Sequence, residues 1–141
     1  LASVIAQLAW CMNFGLDNVF GALMSIVYMG IMVFCNSKIL MTQASLALSI
    51  PDHSPEEYWL LRFPFSLHTG WNIAVFIMSI NGFFRFIELA AILQLIVGFL
   101  SLAAFDGISY KMLMLNGPKP NYAIPGVLAW FVVRSKWVFM A

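Results

Sequence analysis

Hydrophobic residues along this chain come in long runs, separated by short polar stretches rich in Gly, Pro, Asp and Asn. The run the others are arranged around is Pro64 to Phe84, PFSLHTGWNIAVFIMSINGFF, which holds no acidic residue and no Lys or Arg. At about 1.5 Å per residue it is long enough to span roughly 30 Å, the thickness of a bilayer's hydrocarbon core. Proline suits the start of a helix, because its missing N–H has no intrahelical acceptor there. The pattern predicts four more membrane-embedded helices, over 1–14, 18–48, 86–105 and 122–139, and a short interfacial helix over 55–63. The first is too short to span on its own and is expected to begin before Leu1. The second is the longest and should project beyond the lipid, with Lys38 reaching back to the interface. The expected fold is an all-α integral membrane bundle in one domain.

The punctuation supports these boundaries. A break at Gly15–Leu16 precedes Asp17 and Asn18, either of which can cap the second helix. Ser54–Pro55–Glu56–Glu57 has the form of a capping box opening the interfacial helix, which carries Trp59 at headgroup level. Arg85 and Glu88 are spaced to pair on one helix face. Residues 106–121, DGISYKMLMLNGPKPN, read as a connection because Asn116–Gly117–Pro118 and Pro120 interrupt them.

Within the helices, small and polar residues mark packing faces and candidate chemistry. Gly21 with Ser25, and Gly70 with Ala74, are small-xxx-small pairs that admit a neighbouring helix. Gln94, Gly98 and Ser101 share a stripe suited to a helix neighbour. His68 and Asn72 lie one turn apart, with Ser79 further along the same stripe. A polar side chain inside a spanning helix most often bonds to another helix, and Asn72 and Gln94 fit that role. For His68, contact with a bound ligand and axial ligation of a porphyrin or chlorophyll metal stand beside it. Of five tryptophans, Trp59 and Trp137 suit the interface, leaving Trp10, Trp71 and Trp130 to line a pocket.

Composition narrows the function classes. The 141 residues are 62% hydrophobic and 9% charged, where a soluble domain carries about 25% charged residues. Lys+Arg 7 against Asp+Glu 6, with no basic cluster, gives no support for a nucleic-acid partner. Arg85, Arg134 and Lys136 fall on one side of alternating spans, and Lys38, Arg62, Lys111 and Lys119 on the other, so the positive-inside rule assigns no orientation. Cys11 and Cys35 sit in apolar runs without metal or redox spacing and read as small buried hydrophobes. No catalytic triad, HExxH or phosphate loop is visible, and there is no internal repeat of the kind transporters carry. An enzyme is not expected.

PFSLHTGW (64–71), followed by a hydrophobic run with Asn81, resembles the Pro-Phe-Ser…Gly-Trp helix of distant bacterial and algal members of the tryptophan-rich sensory protein family, also called the translocator protein or peripheral benzodiazepine receptor family. QLAWCMNFGLDNVFGALMSIVYMGIMV (7–33) is similar to that family's Trp-containing helix, turn and long second helix, and PNYAIPGVLAWFVVRSK (120–136) to its closing helix. The chain departs from better-known members in lacking a first helix rich in Trp and Pro. The resemblance implies an all-helical membrane protein that binds tetrapyrroles, sterols or lipids rather than catalysing a reaction. By matching positions it points to Trp10, Asn13, Ser66, Gly70 and Trp71. The expected site is therefore Trp10, Asn13, His68, Trp71, Asn72 and Gln94, and the expected cofactor a tetrapyrrole (chlorophyll or haem), a carotenoid or a lipid. The expected partners are membrane lipids and other membrane subunits, in a thylakoid or mitochondrial membrane. The other reading is an accessory subunit of a large energy-converting complex, a photosystem with its antenna or a respiratory assembly.

Overall fold

A computed structural model describes residues 1–14, 18–49, 56, 58–115 and 121–139. Among these the secondary structure is helical throughout: α1 (Ala2–Phe14), α2 (Val19–Ser49), a π-helical turn (Tyr58–Arg62), α3 (Phe63–Phe86), α4 (Ala91–Leu115) and α5 (Ala123–Phe139). Among the described residues three stretches are long and apolar enough to cross a membrane: Val19–Leu46, Phe63–Phe86 and Ala91–Met114. The helices at the two ends of the chain, α1 and α5, are shorter, with 13 and 17 residues.

The starts of α2 and α5 are both fixed by asparagine. The Asn18 side-chain oxygen accepts the Gly21 N–H at 2.7 Å, and that of Asn121 accepts the Ala123 N–H at 3.1 Å. Each takes up a backbone donor that has no partner within its own helix. The expected interfacial helix is one π-helical turn running directly into α3, with Pro64 at the first positions of the α-helical part. The proposed capping box lies outside the described residues, apart from Glu56.

The boundaries of α4 differ most from expectation. Its start is later than 86 because the chain reverses at Ile87–Glu88, where the Ile87 N–H bonds to Phe83 and the Glu88 N–H to Arg85, each at 3.1 Å. Glu88 has φ 53°, a left-handed conformation that ends a helix. The reversal takes Glu88 off the helix face, and among the described residues it forms no ion pair with Arg85. The end of α4 lies beyond 105 because Asp106–Gly107 does not stop it. Phe105, Ile108 and Met112 recur at helical spacing and pack on the core. That packing outweighs the roughly 1 kcal/mol helix penalty of one glycine.

Helix α3 is the hub. On one side Ile73, Ala74 and Ile77 meet Phe105 of α4 and Ile124 and Leu128 of α5. On the other, Val75 and Phe76 pack on a cluster formed by Ala6 of α1 with Met29 and Met32 of α2, on which Trp10 also packs. Helix α2 runs antiparallel to α3, since Gly30 lies against Phe76 while Leu40, further along α2, packs on the cluster of Ile73, Ala74 and Ile77. The Ser3–Asn36 and Asn81–Ser101 hydrogen bonds fit antiparallel α1/α2 and α3/α4 pairs. Consequently α3 and α5, separated by α4, run parallel with their N-termini at the same end. Along α2, Gly21, Ser25, Met29, Met32 and Asn36 form one buried stripe, and Gly30 lies beside it, where an added Cβ would meet the Phe76 ring at 3.4 Å.

Candidate functional site: the groove between α3 and α5

One side-chain hydrogen bond and one close backbone approach align the starts of the parallel pair α3 and α5. The Asn121 amide donates to the buried Ser66 hydroxyl at 2.7 Å while the same side chain caps α5. One turn further on, Gly70 lets the backbones approach: a Cβ there would stand 3.2 Å from the Ile124 Cα and 3.2 Å from the Val127 Cβ. Pro125 sits in the first turn of α5, where no intrahelical N–H bond is lost.

Beside this contact lies an open groove of about 720 Å³. Phe63, Pro64, Leu67, His68 and Trp71 line it from α3, and Tyr122, Ala123, Gly126, Val127 and Trp130 from the start of α5. The volume lies within the range of small-molecule sites. The Trp71 and Trp130 rings are 6.3 Å apart with 34° between their planes, and Phe131 meets Trp71 edge-on at 5.0 Å. Aromatic pairs favour such offset and edge-to-face arrangements. Both indoles keep about half their surface free, 48% for Trp71 and 53% for Trp130. His68 is partly buried in the groove and, among the described residues, has no hydrogen-bond partner. The site is thus apolar and aromatic, with one imidazole.

The residues singled out from the sequence do not converge. His68 and Trp71 line the groove, but Asn72, on the same stripe as His68, is 2% exposed and does not line it. Trp10 packs with α2 on the opposite side of α3, so it is not the second aromatic wall; Trp130 is. Helical spacing decides which residues share a face of α3, not which helix lies against that face.

Several polar residues elsewhere bond to nearby backbone carbonyls. The Asn13 amide donates to the Ala9 carbonyl at 2.8 Å, and the Ser79 hydroxyl to Val75 at 2.9 Å. Gln94 turns back to the Leu89 carbonyl at 2.7 Å, covering the α3–α4 reversal. A Cβ at Gly98 would meet nothing within 4 Å, so Gly98 is not a close-packing point. Only Ser101 of that stripe reaches a neighbour, accepting from the Asn81 amide at 2.7 Å. Of the two free cysteines, Cys11 is exposed rather than buried, and Cys35 is intermediate. No cluster of three or more His, Cys, Asp or Glu capable of holding a metal ion occurs among the described residues.

Sequence reasoning missed Tyr122, Gly126 and the Ser66–Asn121 bond. The signal was the short Asn121–Gly126 stretch, whose cap, early proline and small residue together mark a helix start built for close approach. Comparison with protein-family models, with curated proteins and with solved structures found no match.

Proposed function

We propose that this chain is a non-catalytic integral membrane protein that holds a hydrophobic, ring-bearing ligand of the tetrapyrrole, carotenoid or lipid class between α3 and α5. The observation that carries this reading is the groove itself: an open apolar cleft with paired indoles and a single imidazole. Indole faces suit a flat hydrocarbon or macrocycle, and an apolar cleft excludes hydrophilic ligands. Membrane embedding is supported by the three long apolar helices, whose outward residues are hydrophobic. The resemblance of PFSLHTGW (64–71) to the tryptophan-rich sensory family points the same way and is the sole support for a plastid or mitochondrial membrane.

A lone histidine fits the donor set of a singly ligated pigment metal, and His68 is the residue that would hold the iron of a haem or the magnesium of a chlorophyll. For a metal-free ligand, His68 supplies a hydrogen bond to a carbonyl or carboxylate. Either way His68→Phe keeps the bulk and removes both nitrogens.

Purification from native membranes in a mild detergent tests the proposal. The expected result is a monodisperse protein carrying a chromophore or a specific lipid, and a His68→Phe form that folds but carries much less. A wild-type protein that purifies folded and empty overturns the reading.

The accessory-subunit reading rests on α4. Only 6% of its most apolar window is buried, and Phe99 and Leu100 are both well exposed. Lipid alone satisfies such a surface, so this reading comes second. Co-migration with a large complex on a native gel would promote it.

A further inference from the structure

We infer that Asn36, Asn72 and Ser3 enclose a single buried water that ties α1, α2 and α3 together. Both asparagines are 2% exposed. Each has a side-chain Nδ2 that is fully covered and, among the described residues, bonded to nothing. The Asn36 oxygen is occupied, accepting from the Ser3 hydroxyl at 3.2 Å.

The register brings the two amides into one layer. Met32 and Phe76 belong to the same packed cluster between α2 and α3. Asn36 lies one turn beyond Met32, and Asn72 one turn before Phe76. Because these helices run antiparallel, both steps lead the same way, towards the start of α3.

Two other asparagines show that these side chains have a simpler option. Asn13 and Asn81 each donate to the carbonyl four residues back, both at 2.8 Å. The corresponding carbonyls, Met32 and His68, receive no such bond from Asn36 and Asn72. An amide that forgoes its local acceptor inside an apolar bundle needs a non-local one, since a covered N–H without a partner is strongly unfavourable.

The acceptor must take two N–H groups and be small. Water accepts both and returns a hydrogen to the free lone pair of the Ser3 hydroxyl, which gives the two to four partners that buried waters require. An anion would stand there without a counter-charge, as no Lys or Arg lies in α1, the basic residue of α2 is the exposed Lys38, and Arg62 and Arg85 at the two ends of α3 are several turns from Asn72.

A double-variant cycle tests the inference on the full chain in detergent. Asn36→Leu and Asn72→Leu should each lower the thermal midpoint by several degrees, since each strands the remaining amide and its water. The double variant should lose much less than the sum of the two, because an apolar pair strands nothing. Additive losses overturn the shared water. Where a single variant fails to fold, the wild type decides: with asparagine side chains labelled with nitrogen-15, both amides should show magnetisation transfer from a long-lived water and slow exchange with bulk solvent. Transfer to one amide only, or to neither, rejects the proposal.

Discussion

Gly70 and Gly98 occupy the interiors of long helices, and the sequence treats them alike as packing residues. Their surroundings are opposite. At Gly70 an added methyl would press the Ile124 backbone and the Val127 side chain, both at 3.2 Å, whereas at Gly98 it would enter open space. Glycine in a helix interior costs about 1 kcal/mol relative to alanine, so the propensity gain is the same at both positions. Gly98→Ala should therefore stabilise the protein by about 0.5–1 kcal/mol. Gly70→Ala should destabilise it, because α5 is anchored at Asn121 and cannot retreat without straining that contact. Thermal unfolding of both variants in one detergent checks the pair. Equal shifts of the same sign would show that α5 does not lie against Gly70.

At the scale of elements, the parallel pairing of α3 and α5 rests on their shared end. Asn121 caps α5 and holds Ser66 with the same side chain, so it couples the start of one helix to the flank of the other. Asn121→Ala removes both bonds and leaves the covered Ser66 hydroxyl without that donor. The expected loss is about 1–2 kcal/mol, within the range of helix caps and side-chain hydrogen bonds. Asn121→Asp keeps the cap but forfeits the donor, and should fall between the two. Amide exchange at Ala123 separates the contributions: Ala should speed it and Asp should not.

How far the elements were legible follows from the same physics. Long uncharged runs announce spanning helices whatever they pack against, so α2 and α3 were placed within a few residues. The far end of α4 was hidden because Asp106–Gly107 looks like a break, and only the packing of Ile108 and Met112 on the core shows why the helix continues. The groove was half legible. His68 and Trp71 stood out by residue type, but their partner Trp130 could be distinguished from Trp10 only once α5 was known to lie parallel to α3. Asn36 drew no attention at all, as one amide within a long apolar run has no local signature.

For the whole molecule, the division of the core on either side of α3 separates two kinds of site. Towards α1 and α2 the core holds Ala6, Met29 and Met32, and Asn36 and Asn72 are buried. Towards α5 it is tight only along Gly70 and opens beside it into an aromatic groove. The flank open for the proposed ligand is thus distinct from the one where α1, α2 and α3 pack. The groove's two indoles also make it self-reporting. The decisive measurement is a titration of the purified protein in lipid nanodiscs with protoporphyrin, followed by tryptophan fluorescence. Wild type should be quenched with saturation, the Trp71→Phe/Trp130→Phe double variant should lose most of that signal, and His68→Phe should bind at least fivefold more weakly, which corresponds to about 1 kcal/mol for one lost hydrogen bond. Quenching that is equal in all three proteins, or that grows linearly without saturation, would contradict a ligand groove between α3 and α5.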